Sequence, residues 1–82
     1  MSNVSILRLP EVKQRSGLSR SSIYLYISKG LWPKPISLGV RAVGWPSNEI
    51  DTVLSARIAG KSNLEIRNSI TEMELNRKNS KF

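Results

Sequence analysis

Gly17–Gly30 reads GLSRSSIYLYISKG, and two glycines bracket a run of helix length. Gly17 suits the left-handed position that closes a preceding helix. Ser19, two residues on, suits the N-cap of a following one. The spacing predicts a second helix over Arg20–Lys29, closed by Gly30. Upstream, Pro10 fits a first helical turn, where a missing N–H costs nothing, and Glu11 complements the positive helix end. Leu7, Leu9, Val12 and Leu18 supply apolar contacts, and the residues up to Ile6 are expected to fray. Two helices across Gly17-Leu18-Ser19 outline a helix-turn-helix.

Placing residues about 100° apart around the second helix separates two faces. Ile23, Tyr26 and Ile27 form one apolar stripe. Ser21, Tyr24, Leu25 and Ser28 lie opposite, flanked by Arg20, and no acid falls among them. Tyr24 borders the stripe, so core and surface both remain open to it. In a helix-turn-helix, the N-terminal residues of the second helix meet base edges.

Beyond Gly30 the chain reads Leu31-Trp32-Pro33-Lys34-Pro35, and its two prolines favour an extended path. Ile36-Ser37-Leu38 and Val43-Gly44-Trp45 alternate with period two, predicting a short hairpin with Gly39 in its turn and Arg41 near its tip. A hairpin beside a helix-turn-helix is a wing, and Arg41 is placed to meet phosphate or enter a minor groove. Ser47 is read as the N-cap of another helix, with Glu49 and Asp51 in its first turn. On that helix Ile50, Val53, Leu54 and Ile58 are expected to share the buried face, and Gly60 ends it. Ser62-Asn63-Leu64-Glu65 has capping-box spacing, and Ile66, Ile70 and Met73 make a stripe at i, i+4, i+7. That stripe packs either on the chain's own core or on a neighbouring protomer.

Thirteen Lys and Arg stand against six Asp and Glu, a net charge of +7 on 82 residues. The residues before Glu49 carry +6 of it and the rest +1. Such a bias points to a polyanion, nucleic acid before a membrane surface. With no Cys and no His, disulfides, thiolate zinc sites, Ser-His-Asp triads and Cys-His pairs are excluded. An enzyme is therefore not expected, nor a metal or other cofactor. No stretch approaches the ~20 apolar residues of a membrane span. Without a basic-then-apolar leader pattern, the expected location is cytoplasmic.

In order along the chain stand Leu7-Arg8-Leu9, Val12, Gly17-Leu18-Ser19-Arg20-Ser21-Ser22-Ile23-Tyr24, Gly30-Leu31-Trp32-Pro33-Lys34-Pro35 and Leu38-Gly39-Val40-Arg41-Ala42-Val43-Gly44-Trp45. In type and spacing these elements resemble the AlpA-type phage and prophage regulators, relatives of the excisionase and MerR winged helices. The resemblance covers about residues 6 to 58. Three residues depart from it: Lys13 where a small residue against the second helix is frequent, Leu25 where an arginine is frequent, and Val53 where a tryptophan is common.

The resulting fold class is mostly α with a small β-hairpin, a winged helix-turn-helix of MerR/excisionase type. Residues 6–60 form the DNA-binding domain, 61–76 a C-terminal helical extension and 77–82 a disordered tail. The resemblance implies that the second helix enters the major groove. Ser19 stands at its start, Arg20 reads guanine bidentately, and Ser21 and Tyr24 donate to bases or phosphate, with Ser28 nearer the rim. Arg41 anchors the wing, while Lys13, Arg15, Lys29 and Lys34 neutralise phosphate. If six of these charges meet phosphate, log K falls against log salt with a slope of about −5.

The expected partner is double-stranded DNA, bound as a homodimer or by side-by-side assembly, with an integrase or RNA polymerase as possible protein partners and no membrane. Transcriptional regulation is the first reading. An excisionase that bends DNA for an integrase uses the same surface, and an anti-repressor binding protein through its basic face is the alternative of another class. RNA binding is disfavoured, because Tyr24, Tyr26, Trp32, Trp45 and Phe82 are scattered and build no stacking platform.

Overall fold

A computed structural model describes residues 4–77. Strand β1 (Ile6–Leu7) leads into helices α1 (Leu9–Ser16) and α2 (Arg20–Ser28). The hairpin β2 (Ile36–Gly39) and β3 (Ala42–Pro46) follows, then α3 (Ser47–Ile58) and α4 (Asn63–Asn76). The chain is mostly helical, with one antiparallel sheet of order β1-β3-β2.

The helix ends follow local chemistry. Gly17 takes φ 72° and its N–H donates to Lys13 O at 2.8 Å. Ser19 accepts from the Ser22 N–H at 3.2 Å, which starts α2, while Lys29 is its C-cap rather than its last residue. Ser62 and Glu65 make a reciprocal capping box at the head of α4. Accepting the Ser62 N–H and hydroxyl holds the Glu65 carboxyl below the usual carboxylate range.

The core gathers apolar side chains from β1, α1, α2, β3 and α3, namely Leu7, Val12, Ile23, Trp45, Ile50 and Val53, with Leu31 and Trp32 from the connector. Ile66 and Ile70 of α4 are each 3% exposed within the same cluster, and Met73 packs against it. The stripe of α4 thus lies on the chain's own core.

Four expectations are corrected. Ile6 does not fray: it pairs with Pro46, as Leu7 does with Trp45, covering one edge of β3. Ser47 does not cap α3, since Pro46 holds the N-cap position. The Ser47 hydroxyl instead accepts the Ser5 N–H at 3.0 Å, while its own N–H donates to Ser5 O at 2.7 Å. Ile58 is 88% exposed. It sits about 80° from Ile50 and 140° from Val53 around the axis, so the buried arc passes through Ala56 and Arg57 instead. Lys13 is exposed and does not stand between α1 and α2.

Arg77, read from sequence as the first tail residue, directly follows α4 and joins its guanidinium to Glu49. Glu49 opens α3 as expected, but its carboxylate is buried. Asp51 lies past the first turn and faces Arg15. The rest of the tail, 78–82, lies outside the described residues.

Candidate nucleic-acid interface

The turn before α2 is wired by its own side chains. Ser16 Oγ donates to Val12 O at 2.7 Å and accepts the Leu18 N–H at 3.1 Å. With Gly17 left-handed and Ser19 capping, backbone groups of the turn are satisfied locally. Leu18 packs on the core. These contacts fix the direction in which α2 leaves the turn.

Along α2, Ile23 is fully buried and Tyr26 and Ile27 are half-buried against the core, while Ser21, Tyr24, Leu25 and Ser28 are exposed. Tyr24 therefore belongs to the outer face, at 38% exposure. The Arg20 guanidinium lies 5.8 Å from the centroid of the Tyr24 ring, within cation–π range. That contact lays Arg20 along the exposed face. Ser28 Oγ donates to Leu25 O at 2.6 Å, leaving its lone pairs outward. Ser19 Oγ is engaged by Ser22 as a cap, so its hydroxyl serves the helix.

Arg41 occupies the hairpin tip, exposed, with φ 61°. A non-glycine residue in the left-handed region costs about 1–2 kcal/mol, and such strain concentrates at functional positions.

Lys13, Arg20, Lys29, Lys34 and Arg41 are exposed and form no ion pair among the described residues. Arg15 differs. Its Nη1 stands 3.3 Å from Asp51 Oδ1, with both side chains largely exposed, which offsets its charge while adding at most about 1 kcal/mol of stability. Arg57 is turned inward, its guanidinium 4.6 Å from the Tyr26 ring centroid.

Sequence periodicity does not single out Arg67, Glu74 and Arg77, which reach the backbone between α2 and β2. Helical arithmetic puts them in one arc with Ile70, but their partners lie 38 to 43 residues away.

Residues 5–58 match the family model described as prophage CP4-57 regulatory protein (AlpA). The chain belongs to the AlpA family of phage regulators. It is 47% identical over 55 residues to an uncharacterized protein, ORF88, of Enterobacteria phage P4, covering 67% of this chain and 62% of that protein. It is 44% identical over 62 residues to the DNA-binding transcriptional activator AlpA of Escherichia coli (strain K12), covering 68% of this chain and 89% of the relative. No solved structure matches the chain significantly. Helix α4 lies wholly beyond the segment matched to the AlpA family. Among the described residues no helix is long and apolar enough to cross a membrane.

Proposed function

We propose that this AlpA-family chain is a winged helix-turn-helix protein that binds double-stranded DNA and regulates transcription for a prophage or related mobile element. The observation that carries the reading is the exposed face of α2. It presents hydroxyls from Ser21, Tyr24 and Ser28 with Arg20 laid along it, and no carboxylate. On such a face Ser21, Tyr24 and Arg20 donate to base acceptors or phosphate, while Ser28, its proton committed to Leu25 O, accepts from an exocyclic amine. The relative described as a DNA-binding transcriptional activator supports regulation over excision.

In this reading Arg20 donates bidentately to guanine, and Ser21 and Tyr24 reach bases or phosphate. Ser28 works at the rim, and Ser19 acts through the cap. The β2–β3 hairpin is the wing, with Arg41 on the backbone or in the minor groove. Lys13, Lys29 and Lys34 neutralise phosphate, while Arg15 is held by Asp51 in a surface pair worth at most about 1 kcal/mol. The four cations assigned to the backbone, Lys13, Lys29, Lys34 and Arg41, then set a salt slope of about −3 to −4.

The test is selection of a preferred duplex from a random pool, followed by titration across salt concentrations. A preferred site bound with that slope is expected. Binding that ignores both sequence and salt would sink the reading and favour a protein partner for the basic face.

A further inference from the structure

We propose that α4 is a clamp setting the position of the hairpin relative to α2, and that Arg67, Glu74 and Arg77 are its positioning residues. The inference rests on the reading of α2 and the hairpin as the DNA-contacting elements.

It begins with the connector between them. Pro33 and Pro35 have no N–H, so Lys34 carries the one backbone donor of Pro33-Lys34-Pro35, and no strand ladder can form there. Lys34 is exposed, yet side chains of α4 and of Arg77 after it, rather than water alone, meet its backbone groups. The Lys34 N–H donates to Glu74 Oε2 at 2.9 Å. The Lys34 carbonyl accepts from Arg77 Nη2 at 2.7 Å. At the other end, the Lys29 carbonyl at the close of α2 accepts from Arg67 Nε at 2.9 Å.

Arg67, Ile70, Glu74 and Arg77 fall within an arc of about 80° around α4. Ile70 seats that arc in the core. Arg67 and Glu74 are seven residues apart, so a rigid helix holds their attachment points with a spacing of about 10 Å along its axis. Arg77 also binds both carboxylate oxygens of buried Glu49 on α3, which ties the clamp to the rest of the fold. The end of α2 and the start of the hairpin are thereby measured against one helix.

Glu74→Ala and Glu74→Gln separate this role from others. Both remove one negative charge, but only glutamine keeps an acceptor for the Lys34 N–H. Affinities are measured for a duplex selected by the wild-type protein and for a scrambled duplex, with thermal unfolding alongside. Glu74→Ala is expected to lose roughly three- to thirtyfold on the selected duplex and a smaller factor on the scrambled one, where only the Arg41 contribution is lost. Glu74→Gln should retain wild-type selectivity. The cost of Arg41→Ala should shrink in the Glu74→Ala background, because the hairpin is no longer held where Arg41 contributes. Arg67→Met keeps the aliphatic stem and removes the donor. It carries the same measurement if Glu74→Ala melts below the assay temperature.

Equal tightening of both Glu74 variants on every duplex would overturn the clamp and make Glu74 a simple repulsive charge. A uniform loss for Arg67→Met with a salt slope lower by one would make Arg67 a phosphate contact and overturn it too. Unchanged selectivity throughout would overturn the clamp alone, whereas a wild-type chain that binds no duplex would overturn both readings.

Discussion

Trp45 on β3 donates its indole N–H to the carbonyl of Pro33 at 2.8 Å. Both residues are buried, so this bond fastens the hairpin to the proline connector from the inside. Trp45→Ala should destabilise the fold by ~3–5 kcal/mol. Trp45→Phe, which mainly orphans the Pro33 carbonyl, should cost ~1–3 kcal/mol. Denaturant unfolding of the two variants checks the order; a Trp45→Phe variant as stable as wild type would show that the hydrogen bond contributes nothing beyond packing, and equal losses would show that the bond, absent from both, dominates.

Gly44 lets β1 lie close against β3. A Cβ there would stand 2.5 Å from Ile6 Cγ2 and 3.0 Å from the Leu7 carbonyl oxygen. Gly44→Ala should therefore destabilise by ~1–3 kcal/mol through overpacking. Ile6→Ala in the same chain should recover part of that loss, leaving the backbone clash with Leu7. No recovery in thermal melting would place the strain on the Leu7 carbonyl and on Leu38 Cδ1, 3.1 Å from the same point.

At the hairpin tip, strain and function are expected to oppose one another. Arg41→Gly removes a left-handed penalty of ~1–2 kcal/mol and adds unfolded-state entropy worth ~0.5–1 kcal/mol. Stability should hold or rise slightly. Affinity for all duplexes should fall, with the salt slope lower by about one. A variant as tight as wild type would remove Arg41 from the interface.

Arg20→Ala should weaken binding to the selected duplex by ~1–3 kcal/mol and change scrambled DNA far less, since a bidentate base contact carries discrimination. Melting should be unaffected, because Arg20 is exposed. Competition titrations with the two duplexes measure it, and equal losses would make Arg20 a phosphate contact.

The Glu49–Arg77 pair is buried on the Glu49 side, where the side chain is 7% exposed, against 18% for Arg77. Glu49's hydrogen bond raises the Arg77 pKa further above its ordinary value. Arg77→Ala strands a buried carboxylate and should cost ~3–5 kcal/mol. Glu49→Leu with Arg77→Met should recover much of that in chemical denaturation. A double variant as unstable as the single one would show that the hydrogen bond to Lys34, and not the stranded charge, dominates.

The helix boundaries around Gly17, Ser19, Gly30, Gly60 and Ser62 were legible in the sequence because each depends on a dihedral preference or a hydrogen bond spanning three or four residues. The two faces of α2 follow from the same local geometry, so the exposure of Ser21, Leu25 and Ser28 could be read by rotation alone. Tyr24, at the border, needed the packed structure to place it. Tertiary structure decided what depends on distant partners. Ile6 and Leu7 carry no strand signal of their own and are ordered only because β3 offers them an edge. Ser47 has a capping side chain, yet the backbone of Ser5 claims it. Ile58 loses the core to the angle at which α3 lies, and Arg15 loses its place among the free cations to Asp51. The connector's bonds to Arg67, Glu74 and Arg77 were the least legible, since residues about forty positions away supply them.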